Sequence, residues 1–175
     1  MSIPNECGRS EQDTAAFWAW FEGSRVCEES GEPRMAYHGT RRDFTTFCAR
    51  APQANPYLWQ DNALGFFFTA HPGRRSDSGP WSGAAGFAGF YQQDGELRAR
   101  EGARILAVYL CLRNPVHLPD TRIENGSVLR RQLEAQGYDG VITDDDMYVA
   151  FYPEQIKSAL ANCGRFDPRS PDMCA

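Results

Sequence analysis

The sequence predicts an α+β domain, and three features carry that reading. Stretches of β character are short and numerous, helical stretches are few, and the two do not alternate as they do in a doubly wound sheet. The 175 residues are 42% apolar and 13% aromatic, enough to build one packed core.

Taken in order, "DTAAFWAWFEGS" reads as a helix capped by Asp13 or Thr14. Phe17, Trp20 and Phe21 share one face, and Gly23 ends it. "RMAYHG" is the first strand of the main body. "RRDFTTFCAR" is a helix or a loop, anchored by Phe44 and Phe47. The Pro- and Asn-rich stretch 51–64 reads as an irregular loop whose Tyr57 and Trp59 suit a lid over a pocket. "LGFFFTA" is a strand, "HPGRRSDSGPWSG" a loop of breakers, and "GAAGFAGFYQQ" a short helix rich in small residues. In "RILAVYLCLRNPV" both alternating sets are apolar, which places the strand inside the sheet until Asn114-Pro115 breaks it. "SVLRRQLEAQG" is an amphipathic helix with Ser127 as cap, Val128, Leu129 and Leu133 inward, and Gly137 as stop. "YDGVIT" and "YVAFY" are strands around an acidic turn. "PEQIKSAL" starts with proline in a first helical turn, and "NCGRFDPRSPDM" reads as an exposed tail. The division is an entry segment 1–34, a core 35–162 and a tail 163–175.

Charge narrows the function. A net charge of −5 argues against a dedicated binder of phosphate backbones. Arginines pair at 41–42, 74–75 and 130–131, which marks either solvated surface or a docking point for phosphate or acid. The six cysteines lack zinc or disulfide-framework spacing, and Cys111 reads as a buried small apolar residue. With no secretory signal pattern and no membrane-spanning run, the expectation is a cytoplasmic protein or one delivered into a host cell, with no membrane partner. No metal site is expected.

Among three histidines, His71 and His117 sit beside prolines at strand ends and read as structural or exposed. His38 stands in "MAYHGT", followed by Gly39 and Thr40. That triplet is either a turn, with a permissive glycine and a hydroxyl satisfying the local backbone, or the end of a strand opening into a ligand pocket. The run Asp144-Asp145-Asp146 reads as a solvated turn, since three adjacent carboxylates point apart. No GxSxG, GxGxxG, P-loop or HExxH occurs.

Several segments, read in order, look like one family. "FWAWFEGSRVCEESGEPRMAYHGT", "FTTF", "GFFFT", "AAGFAGFY", "VYLCLRNPV", "GYDGVI", "YVAFYPEQIKSA" and "NCGRFDP" are similar to the ADP-ribosyltransferase domains of phage polyvalent proteins and related bacterial proteins. The likeness spans roughly residues 16 to 173. It implies a split pair of small antiparallel sheets, an ADP-ribosyltransferase-like sandwich, with NAD bent into the cleft as co-substrate. In the histidine–tyrosine–acid branch it implies that His38 bonds a ribose, Gly39 clamps the nicotinamide amide through its main chain, and Thr40 lends its hydroxyl. Phe66, Phe68, Phe87 and Tyr91 are the candidate aromatic walls, with Phe87 or Tyr91 stacking on nicotinamide. The implied activity is transfer of ADP-ribose to a macromolecular acceptor, a protein in preference to a nucleic acid, with release of nicotinamide. Cleavage of that glycosidic bond builds positive charge on the ribose, which a carboxylate and a desolvated pocket stabilise.

One position departs from the pattern. Met147 stands where the family's strand carries its acid, and a thioether cannot grip a ribose diol. Asp146 is one substitute, although strand alternation points it to the other face unless the strand bulges. Glu154 or Gln155 is another. The third reading is a pseudoenzyme that binds NAD or a protein without transfer.

Overall fold

The computed structural model describes residues 11–48, 63–73, 83–93, 96–120, 125–160 and 166–175. The proposed lid residues Tyr57 and Trp59 and the Arg74-Arg75 pair lie outside these. The elements are α1 (Glu11–Phe21), β1 (Ala36–Thr40), β2 (Phe66–Thr69), α2 (Gly83–Ala88), β3 (Phe90–Gln93), β4 (Glu96–Ala99), β5 (Arg104–Leu110), β6 (Pro115–Leu118), α3 (Gly126–Ala135), β7 (Gly140–Thr143), β8 (Met147–Ala150) and β9 (Ile156–Ser158). The expected α+β character holds.

Seven strands form one mixed sheet in the order β6-β7-β8-β2-β1-β5-β9, and β3-β4 form a separate two-stranded ribbon. The resemblance implies two small antiparallel sheets. Here the two groups of strands are hydrogen-bonded into one sheet, joined between β1 and β2, where Tyr37 opposite Thr69 is the single register pair. One parallel pair, β6 with β7, is bridged by α3. This lone βαβ unit escapes a sequence reading because β6 has four residues and begins with proline, the residue expected to end a strand. Its Pro115 sits at the edge of the sheet, where a missing N–H breaks no ladder.

Side chains alternate along each strand, so the sheet has two different faces. One carries Ala36, Phe68, Val108, Leu110, Tyr148, Ala150 and Ile156 into a core closed by Val26, Phe47 and Met173. The other carries Tyr109 against Phe17, Trp20 and Phe21 of α1, and Val141 and Val149 against Leu133 of α3. The apolar face predicted for α1 is thus the buried one. The helix already includes Glu11, so Asp13 and Thr14 lie within it and not at its cap position. Asp13 instead accepts a hydrogen bond from the Phe166 nitrogen (3.2 Å).

Three further expectations change. α3 is capped by Asn125, whose side chain accepts from Val128 N (3.2 Å), while the Ser127 hydroxyl donates to Asn125 Oδ1 (2.9 Å). "PEQIKSAL" is no helix: Pro153–Gln155 form a single 3₁₀ turn, and β9 follows it to pair with β5. Residues 166–175 are not an exposed tail. Phe166 and Met173 are buried, and the Ser158 nitrogen donates to the Met173 oxygen (2.8 Å).

Lys157 explains how that final segment is held. Its residue is fully buried on β9, and its ammonium donates to the main-chain oxygens of Ser170 (3.0 Å), Asp172 (3.0 Å) and Ala175 (2.8 Å). Burial lowers its pKa, and Asp167 and Asp172 oppose that shift. Cys111 is buried as expected, and burial pushes its thiol up to about 11.

Candidate functional site

The site begins where β1 stops behaving as an ordinary strand. Against β5 it keeps register over all five residues, from Ala36 opposite Val108 to Thr40 opposite Arg104. Against β2 it pairs at Tyr37 and then parts. Continued pairing would set His38 opposite Phe68 and Gly39 opposite Phe67. Instead no further β1–β2 register pair follows, so the seam is laddered at the Tyr37 end and unladdered toward Thr40 and Phe66.

His38 spans the seam. Its Nδ1 lies 2.8 Å from the carbonyl oxygen of Phe67. A carbonyl only accepts, so Nδ1 carries the proton and Nε2 presents a lone pair. Nε2 has no hydrogen-bond partner among the described residues. The ring is half-buried and packs edge-on against Phe47 (5.0 Å between centroids) and Phe44 (6.3 Å), and tilted against Phe68 (5.6 Å). Burial lowers its pKa below the usual 6.5, partly offset by the bond to the Phe67 carbonyl, which keeps the ring neutral at neutral pH.

Gly39 faces the opposite side, where α2 lies directly on it. A Cβ there would overlap the Ala84 carbonyl oxygen and stand 2.7 Å from the Ala88 nitrogen. The strand and helix approach this closely only because the residue is glycine. Thr40 matches the turn reading, since its hydroxyl accepts from the Arg42 nitrogen (3.2 Å). His38 thus bridges to β2, Gly39 packs under α2, and Thr40 enters a turn.

The predicted aromatic walls divide. Phe68 is 1% exposed and belongs to the core, so it supports the imidazole from behind and lines no open space. Phe66 is half-buried against Phe47 (5.3 Å). Phe87, on α2, is 62% exposed, and Tyr91, on β3, is 39% exposed. Both rings are thus open to solvent.

The predicted acids lie elsewhere. Met147 pairs with Thr69, which in turn pairs with Tyr37, so all three side chains share a face at the joined end of the seam. Asp146 precedes it in a turn, with a left-handed backbone (φ 58°) that an aspartate tolerates. Its carboxylate lies 3.8 Å from His71 Nε2 and 4.0 Å from an Arg34 nitrogen, beyond the joined end. Gln155 is buried and fully used. Its Oε1 accepts from the nitrogens of Phe151 (3.0 Å) and Tyr152 (2.8 Å), and its Nε2 donates to the oxygens of Asp139 (2.9 Å) and Cys111 (3.4 Å). That amide seats β9 and has nothing left for a ribose. Glu154 is exposed, and its carbonyl accepts from the indole of Trp20 (3.1 Å).

A cavity of about 430 Å³, which the sequence did not reveal, opens at the joined end. Tyr37, Trp18 and Tyr109 line it together with Arg34, His71 and Asp146. Arg34 bonds Glu28 (3.1 Å) and the Tyr148 hydroxyl (3.4 Å). Among the described residues no three His, Cys, Asp or Glu side chains group as metal ligands, and no helix is long and apolar enough to cross a membrane.

Residues 28–166 match the family described as ADP-ribosyltransferase in polyvalent proteins, and the chain belongs to that family. No curated protein and no solved structure matches the chain.

Proposed function

We propose that the open half of the β1–β2 seam binds NAD and that the chain transfers ADP-ribose to a macromolecular acceptor, a protein in preference to a nucleic acid. The observation carrying this reading is the fixed tautomer of His38. Its donor side is spent on Phe67, and its acceptor side has no partner among the described residues at the point where the sheet stops pairing. A bare imidazole nitrogen accepts from a ribose hydroxyl, and NAD supplies such hydroxyls.

The surrounding groups fit the rest of the molecule. Main-chain groups of β1 that face β2 beyond Tyr37 have lost their ladder, and a carboxamide satisfies an N–H and a C=O at once. Phe87 or Tyr91 supplies a ring for the flat nicotinamide. In the reaction the glycosidic carbon–nitrogen bond breaks, nicotinamide leaves with the bonding pair, and an acceptor nucleophile bonds the same ribose carbon and loses its proton. A nearby carboxylate assists by stabilising the positive ribose. Asp146 is the carboxylate beside the position held by Met147, and its left-handed backbone frees it from simple strand alternation.

Met147 itself favours a second reading, in which the seam binds NAD without transfer. Incubation with NAD labelled in the adenosine half, a bacterial lysate and a His38→Ala control separates the two. Label entering macromolecules, lost in the control, supports transfer. Saturable NAD binding with no label transfer and no nicotinamide release supports the second reading, and no binding overturns both.

A further inference from the structure

We propose that the cavity at the joined end of the seam seats a cationic side chain of a protein, an arginine in particular. The inference rests on the transferase reading only in calling that protein the acceptor.

Two half-buried aromatic residues, Trp18 and Tyr37, line the cavity with the buried Tyr109 behind them, and aromatic rings attract a cation placed over their faces. Its charged lining is unbalanced. Glu28, Glu32 and Asp146 supply three carboxylates against the single guanidinium of Arg34, since His71 adds charge only when protonated. Arg34 compensates Glu28 directly, at 3.1 Å, and approaches Asp146 at 4.0 Å, so Glu32 has no cation of its own among the described residues. An anion, a dinucleotide pyrophosphate included, is repelled by this lining, whereas a guanidinium completes it. The pyrophosphate of NAD therefore keeps to the unladdered half of the seam, and only the reacting ribose approaches this cavity.

One further observation fits a peptide rather than a small amine. A volume of about 430 Å³ exceeds a lone guanidinium and leaves room for the main chain that carries it. The position also suits an acceptor. Tyr37 directly precedes His38, and Asp146 directly precedes Met147, so a side chain seated here adjoins the strand positions that flank the reacting end of the seam.

The test needs no NAD. A short Gly-Ser peptide with a single arginine, and its citrulline twin of equal shape without charge, are titrated into the full chain, with the Trp18 indole resonance and calorimetry as readouts. The arginine peptide is expected to shift the indole and to bind about tenfold more tightly than citrulline, weakening as salt rises. Glu32→Gln combined with Asp146→Asn should weaken it about fivefold. Asparagine tolerates the left-handed turn, and an unchanged melting temperature verifies the fold. Equal binding of both peptides, no binding, or binding untouched by the double variant overturns the proposal. Lost peptide binding beside intact label transfer removes this assignment alone. Retained peptide binding without label transfer removes the transferase reading alone.

Discussion

The two edges of β1 form the most instructive contrast in the molecule. On one side every residue from Ala36 to Thr40 is in register with β5, and β5 is in register with β9. On the other, one register pair holds β2 and no further pair follows. The same five residues thus serve as scaffold on one edge and, in the proposed site, as a ligand-facing lip on the other. A site built this way inherits its rigidity from the fully paired edge, and the unpaired edge keeps its polar groups for a guest.

The largest expected effect tests the closed side. Lys157→Met removes three hydrogen bonds and strands three half-buried main-chain oxygens, at a cost of about 3 kcal/mol in urea unfolding. If stability is instead unchanged, β9 and the final segment do not support β5 as described. Next comes the hinge between the edges. Gly39→Ala forces α2 off the strand, which should cost about 2 kcal/mol and abolish NAD binding measured by calorimetry. Retained affinity would mean that the lip tolerates the displaced helix. On the open side, His38→Ala should cost about 1 kcal/mol in stability yet remove saturable NAD binding. Phe87→Ala is expected to change stability by less than about 0.5 kcal/mol, its ring being largely solvent-facing, while weakening NAD. Equal NAD affinity in this variant would assign the stacking role to Tyr91.

The smallest effect is one of pH. Because the folded state holds His38 below its unfolded pKa of 6.5, the unfolded chain binds more protons as pH falls beneath that value. Stability contributed by this residue is therefore present above pH 6.5 and declines on acidification. NAD affinity should decline in the same direction, since protonation removes the Nε2 lone pair. A His38→Gln variant should flatten both slopes.

Much of this arrangement is legible in the sequence, and the exceptions have physical causes. α1 and α3 are set by local spacing, and Phe17, Trp20, Phe21 and Leu133 are buried as their periodicity requires. "YHGT" stands out because a glycine behind a histidine at a strand end is rare chemistry in a short space. β9 was hidden because Pro153 starts a helical turn that goes no further. Its continuation depends on Gln155 joining the nearby nitrogens of Phe151 and Tyr152 to the distant oxygens of Cys111 and Asp139, and no local rule contains the distant pair. Gln155 and Phe68, both candidates from the sequence, are committed to the interior for similar non-local reasons. The cavity was invisible because Trp18, Tyr37, Tyr109 and Asp146 meet only after the sheet has formed.

The burial of Lys157 has a practical corollary. It is the one lysine among 175 residues, and it is sealed beneath the final segment. Amine-directed crosslinkers, biotin esters and enzymatic acylation will find no lysine handle on the folded surface. Any ADP-ribose that the chain places on its own lysine would report that the fold had come undone.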